Sequence, residues 1–267
     1  MAIRTILVPY DFSECATDAL RVAAKLARLT GAVIDIVHLY EQMMDFHTEN
    51  KRIREEIEAR LERIPELPFL RGIELKKFML RQMELTEMFK NERLQRADLV
   101  VMGTHGTTGL RGGIVGSNTQ RIVRQAPMPV LVIKHRIEDF DVKDLVYASN
   151  FTPEDVDKFD AFTPLIELFD PKIHLLKVNT PRSFERSDDS NKAIDRFLQR
   201  YALKHFTASV YNDLSIEEGI LNFAKGIDAD LIAMATHGRT GFFHVVNGSL
   251  TEDIVNHTTF PVLSVRL

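Results

Sequence analysis

Residues 103–119 read GTHGTTGLRGGIVGSNT, and residues 235–251 read ATHGRTGFFHVVNGSLT. Eight of the 17 aligned positions are identical, at an offset of 132. The first copy has the spacing Gly103-x2-Gly106-x9-Gly116-Ser117. Glycine adopts backbone angles closed to other residues and lets a ligand approach the main chain. Ser117 with Gln120, and Ser249 with Glu252, have capping-box spacing, which marks a helix N-terminus preceded by glycine. Free N–H groups and the positive end of the helix dipole favour an anion there. The same residues are also consistent with a turn and a cap that bind nothing. Neither G-x-x-x-x-G-K-[ST] nor a G-x-G-x-x-G after the first strand is present.

These loops sit inside a longer repeat. TILVPYDFS (5–13) matches DLVYASNFT (144–152), and AVIDIVHLY (32–40) matches KIHLLKVNT (172–180). ADLVVMGTHG (97–106) matches ADLIAMATHG (229–238), and PVLVIK (129–134) matches PVLSVR (261–266). Four blocks in one order indicate a duplicated unit. A chain of 267 residues holds two such units comfortably. The expected units are 1–136 and 140–267, divided near the polar stretch HRIEDFDVK (135–143).

In the first unit, strands are expected near 4–9, 32–39, 73–79, 98–102 and 129–134. Helices are expected at 13–31, 49–64, 83–96 and 117–125. Ser13 caps the first and Gly31 ends it, while Ile53, Ile57, Leu61 and Ile64 form one stripe of the second. Near-continuous apolar strands alternating with helices predict an α/β fold with a parallel sheet covered on both faces. In the second unit Pro164 predicts a kink or a late helix start, and RSFERSDDSN (182–191) reads as a polar loop.

Composition excludes other classes. Apolar residues make up 45% and charged residues 27%, as in a globular protein. The net charge of −4 offers no general attraction to nucleic acid or anionic membrane. The sequence contains neither a signal-peptide pattern nor an apolar run of membrane-spanning length. One cysteine, Cys15, excludes an internal disulfide and points to a reducing, cytoplasmic setting. It reads as a half-exposed structural thiol. His105 and His237 have no metal-binding spacing around them and read as loop residues. No catalytic constellation and no metal site is assigned.

The spacing G-x2-G-x9-G-[ST], after ADLVVMG and before PVLVIK, together with VPYDFS, resembles the universal stress protein family. The likeness occurs once per half, as in a tandem member. It implies two doubly wound, five-stranded parallel sheets of strand order 3-2-1-4-5 with helices on both faces. It also implies intramolecular pairing of the two domains through their last strands, and it is compatible with a homodimer. In the ATP-binding branch of that family, the glycines and the serine hold phosphates. An Asp after strand one binds ribose, and the end of strand two meets adenine. Carried over, the resemblance assigns Pro9, Tyr10, Asp11, Leu39, Met102, Gly103, Gly106, Gly116, Ser117 and Asn118 to an adenine nucleotide, ATP with or without Mg. The second set is degenerate: Asn150, Val178, Gly238, Gly248 and Ser249 remain, with Asn150 for Asp11 and Ala235 for Gly103. Residues 1–136 carry 21 Lys/Arg against 17 Asp/Glu, and residues 137–267 carry 13 against 21, so a polyanion is expected to favour the first half. The expected function is a nucleotide-binding regulator of stress response. A scaffold that binds no nucleotide is the alternative, and a weak ATPase ranks third.

Overall fold

The computed structural model describes residues 2–40, 47–81, 88–90, 92, 94–104, 117–236, 254–255 and 257–266. The first half runs β1 (Thr5–Pro9), α1 (Glu14–Thr30), β2 (Val33–Tyr40), α2 (His47–Arg63), β3 (Leu75–Arg81), β4 (Leu99–Gly103), α3 (Ser117–Gln125) and β5 (Val130–Ile133). Each strand falls within two residues of its expected start. The Ser13 hydroxyl accepts the Ala16 N–H at 3.1 Å, and Gly31 ends α1 at φ 74°. One expected helix is corrected. The described parts of 83–96 form two 3₁₀ turns, Met88–Lys90 and Leu94–Arg96, and not one α-helix. Met88, Phe89 and Leu94 are buried there, so apolar packing is achieved without helical periodicity.

The second half runs β6 (Asp144–Ala148), α4 (Pro153–Lys158), α5 (Thr163–Phe169), β7 (Lys172–Asn179), α6 (Ser187–Arg200), β8 (Phe206–Asn212), α7 (Ile216–Gly226), β9 (Leu231–Thr236) and β10 (Val262–Arg266). Pro164 has the expected effect. The stretch matching α1 breaks into α4, a 3₁₀ segment at Phe159–Phe162, and α5, with Pro164 in the first turn of the last. The loop expected over 182–191 is shorter than predicted, because α6 already begins at Ser187. Its acidic first turn, Asp188 and Asp189, suits a helix N-terminus.

The strands make one ten-stranded sheet in the order β3-β2-β1-β4-β5-β10-β9-β6-β7-β8. Within each half all neighbours are parallel. At the centre β5 and β10 are antiparallel, with Leu131 opposite Leu263 and Val132 opposite Val262. The carboxyl ends of the two sets of strands therefore point to opposite edges of the sheet. Register also corrects the strand-two alignment. Thr5 pairs with Val33 and Asp144 with Lys172, so the offset there is 139, not the 140 of the matched strings. His38 and Lys177 thus occupy equivalent positions, as do Leu39 and Val178. Two apolar cores, one per face, each run across the seam from one half into the other. The connecting stretch 135–143 is anchored and not merely polar, since Phe140 and Val142 are 3% and 1% exposed. Among the described residues no helix is long and apolar enough to cross a membrane.

Two repeated motifs now have structural explanations. Asp98 Oδ2 accepts the N–H groups of Arg4 and Thr5 at 2.8 and 2.9 Å, where β1 begins. Asp230 does the same for Lys143 and Asp144. The duplicated Ala-Asp-Leu thus fastens the first strand of each half to the fourth. Gly103 packs against the first turn of α1. A Cβ built there would lie 2.7 Å from Cys15 Sγ and 2.8 Å from the Cys15 carbonyl carbon and oxygen. Close approach of α1, and not a positive φ, demands glycine at the end of β4.

Gly103→Ala is expected to lower the thermal midpoint by several degrees, because the clash involves backbone that no rotamer change relieves. Adding Cys15→Ala should recover little of it in a thermal melt. Leu263→Ala removes a fully buried side chain from the seam and should cost about 2–5 kcal/mol in denaturant unfolding.

Candidate functional site

The β1–α1 loop, Tyr10–Ser13, turns sharply. Phe12 sits at φ 66°, and its counterpart Phe151 at φ 56°. A bulky residue in the left-handed region costs roughly 1–2 kcal/mol, so neighbours must hold it there. The Phe12 ring lies 5.3 Å from the Tyr10 ring and 4.8 Å from the His38 ring. The Arg60 guanidinium, from α2, lies 3.9 Å from the Phe12 ring centroid. The Tyr10 N–H donates to the Val37 carbonyl at 2.8 Å, and its hydroxyl is 3.0 Å from that of Thr17. Asp11 Oδ1 accepts the Ser13 N–H at 3.0 Å, and the residue is partly buried at the sheet's carboxyl edge.

His38 is buried at the end of β2, with Nδ1 2.7 Å from the Tyr10 carbonyl oxygen. A carbonyl only accepts, so Nδ1 carries the proton. Burial lowers the His38 pKa. The Tyr10 hydrogen bond and the Asp11 charge oppose that shift, and Arg60 adds to it.

Across β1 lies β4, whose last residues are Met102, buried, and Gly103. The Thr119 hydroxyl lies 3.1 Å from the Gly103 carbonyl oxygen and 3.3 Å from that of Thr104. This ties the first turn of α3 to the end of β4. The helix begins at Ser117, followed by Asn118. Pro9, Tyr10, Asp11, Leu39, Met102, Gly103 and the start of α3 therefore share one edge. That edge is where the strand order turns back between β1 and β4, the usual ligand crevice of open α/β sheets. Gly106, Gly116 and His105 lie outside the described residues. Sequence reasoning did not single out His38, Arg60 or Thr119. The Ser-x-Thr of both loops was a signal for Thr119, and His38 is the one imidazole in β2, set between Val37 and Leu39.

In the second half, Ala148, Ser149, Asn150, Asp155, Leu176, Val178, Ile216, Ile220, Met234 and Ala235 enclose a cavity of about 60 Å³. Asn150 and Val178 are thus brought together with Ala235, the replacement for Gly103. Gly238, Gly248, Ser249 and His237 lie outside the described residues. Asp155, 3% exposed, completes a capping box with Thr152 at the start of α4. Lys177, the counterpart of His38, donates to the Asn150 carbonyl at 3.1 Å and pairs with Glu185 at 2.8 Å. Gly219 of α7 faces Val178 so closely that a Cβ there would lie 2.5 Å from a Val178 methyl. Cys15 is half-buried; its Sγ accepts the Thr104 N–H at 3.3 Å and lies 3.5 Å from the Ile133 carbonyl oxygen, a packing role.

The chain is 35% identical over 136 residues to a universal stress protein of Thermus aquaticus, a match covering 49% of this chain and 98% of that one. It is 25% identical over 170 residues to the universal stress protein Slr1230 of Synechocystis, covering 63% and 58% respectively. The crystal structure of a universal stress protein from Archaeoglobus fulgidus superposes with a TM-score of 0.76 over 98% of both chains at 16% identity, which speaks to fold alone. The family model described as the universal stress protein family matches residues 2–134 and again 161–266. With the repeated sequence and the mirrored sheet, these matches establish that the chain belongs to the universal stress protein family, in its tandem two-domain form.

Proposed function

We propose that the protein is a cytoplasmic, ATP-binding regulator of stress response, with the nucleotide held in the first half. One observation carries this reading. Asp11, Leu39, Met102–Gly103 and the N-terminus of α3 lie together where the strand order turns back. The donor set suits an adenine nucleotide. A partly buried carboxylate at Asp11 can accept from ribose hydroxyls, and a helix start beside a glycine-rich loop suits phosphates. The main chain at Leu39 would meet the base. Gly106, Gly116, Ser117 and Asn118 would complete the phosphate loop. Magnesium, if it accompanies ATP, would be held by the phosphates themselves, because no protein ligand set is assigned to it.

In this reading residues 1–136 form the binding domain and residues 140–267 a partner domain. Asn150 offers one acceptor and a donor in place of a carboxylate. Ala235 adds a methyl to the cavity wall, and Asp155 places negative charge among the residues lining it. If the first two changes each cost about 1.4 kcal/mol independently, the second site is weakened roughly a hundredfold before repulsion by Asp155 is added.

Titration calorimetry is expected to give one ATP per chain. Asp11→Ala removes up to two charge-assisted hydrogen bonds, each worth roughly 1.5–3 kcal/mol, and should reduce affinity sharply. Gly116→Val should block backbone approach to phosphate while the melting temperature holds. Unchanged affinity in both variants, or two equivalent ATP molecules per chain, would refute the assignment. Denaturing mass spectrometry of purified protein for co-purified nucleotide separates a binder from a scaffold.

A further inference from the structure

We infer that His38 is a positioning residue that aims the Asp11 carboxylate at a ribose, and that Lys177 in the same place aims the second half's loop differently. The inference rests on the reading of the first half as a nucleotide site, and it names how that site is set.

The loop between β1 and α1 has to be held by its surroundings, because Phe12 sits in the left-handed region. His38 touches it twice. Nδ1–H donates to the Tyr10 carbonyl at 2.7 Å, and the ring lies 4.8 Å from that of Phe12. The first contact fixes the peptide plane joining Tyr10 to Asp11, and the second supports the residue after Asp11. Asp11 thus stands between two residues that one rigid, buried ring holds in place. The Arg60 guanidinium also lies over the Phe12 ring, 3.9 Å from its centroid.

The duplicated half supplies an internal comparison. Lys177 stands at the position of His38 by strand register. Its ammonium reaches the carbonyl of Asn150, not that of Ser149, at 3.1 Å. The peptide held is therefore one further along, the plane joining Asn150 to Phe151. The four-carbon stem has no stacking surface, and Glu185 at 2.8 Å holds the ammonium from the loop after β7. Both halves keep a buried donor on strand two for this loop, yet they grip different peptides. The half with Asp grips the plane before it; the half with Asn grips the plane after it. The second loop thus differs from the first in its anchoring as well as in losing a carboxylate.

The test uses the full chain, with ATP and 2′,3′-dideoxy-ATP as probes in titration calorimetry. Dideoxy-ATP lacks the hydroxyls that Asp11 would accept from. His38→Leu should weaken ATP about tenfold, the worth of roughly one well-placed hydrogen bond, and leave dideoxy-ATP unchanged. His38→Asn puts an amide N–H near the place of Nδ1–H and should recover most of the ATP affinity. His38→Lys copies the second half and should weaken ATP selectively. It carries the test with His38→Asn if the Leu variant does not fold. Equal losses for both nucleotides would mark His38 as structural only and overturn the inference. So would unchanged ATP affinity in a folded His38→Leu or His38→Lys. A wild-type chain that binds neither nucleotide, or both equally, overturns the ribose reading itself and this inference with it.

Discussion

The antiparallel seam of β5 with β10 decides where everything else goes. Each five-stranded sheet ends in an apolar strand whose outer edge would otherwise offer unpaired N–H and C=O groups to other chains. Pairing the two edges removes that hazard and merges the apolar layers on each face into cores shared by both halves. Because the pairing is antiparallel, the carboxyl edges of the halves face opposite ways. Leu131 and Leu263, both fully buried, lie opposite each other at its centre.

Within each half the parallel sheet carries a polar fastener that repeats. Asp98 and Asp230 each collect two backbone N–H groups where the first strand enters the sheet. Thr119 ties α3 to the end of β4. At the carboxyl ends the repetition is incomplete. Tyr10 becomes Ser149, Asp11 becomes Asn150, His38 becomes Lys177 and Gly103 becomes Ala235. The strand fastener is thus kept in both copies, while these four positions at the crevice differ.

Much of this was legible in the sequence because duplication wrote it twice. Apolar runs at PVLVIK and PVLSVR announced the paired edges, and Ser13 with Gly31 bracketed α1 to within a residue. Pro164 broke its helix as a residue without an N–H must. The unread parts have physical reasons. Residues 88–96 are apolar enough for a helix, yet their described part packs as 3₁₀ turns, which periodicity does not separate from α. The glycine at 103 pointed to a ligand, whereas a Cβ there would meet the thiol and backbone of Cys15. Strand register was needed to place Lys177 on His38, since the matched strings slip by one. A hydrogen bond such as His38 to Tyr10 joins residues 28 apart in sequence and leaves no local pattern.

The stretch from 135 to 143 has a consequence of its own. Phe140 and Val142 are sunk into the molecule, and Phe140 meets Phe169 edge-on with ring centres 5.7 Å apart. The tether is consequently part of the packed body and leaves little slack for one half to leave its partner and join another chain. Association of the halves is then unimolecular. It does not weaken on dilution, as a pair of separate subunits would. Nor does it require that the two partners be alike. Two separate copies of one chain would carry every substitution twice. Here a change can settle on one side of the seam while the other side keeps its original chemistry.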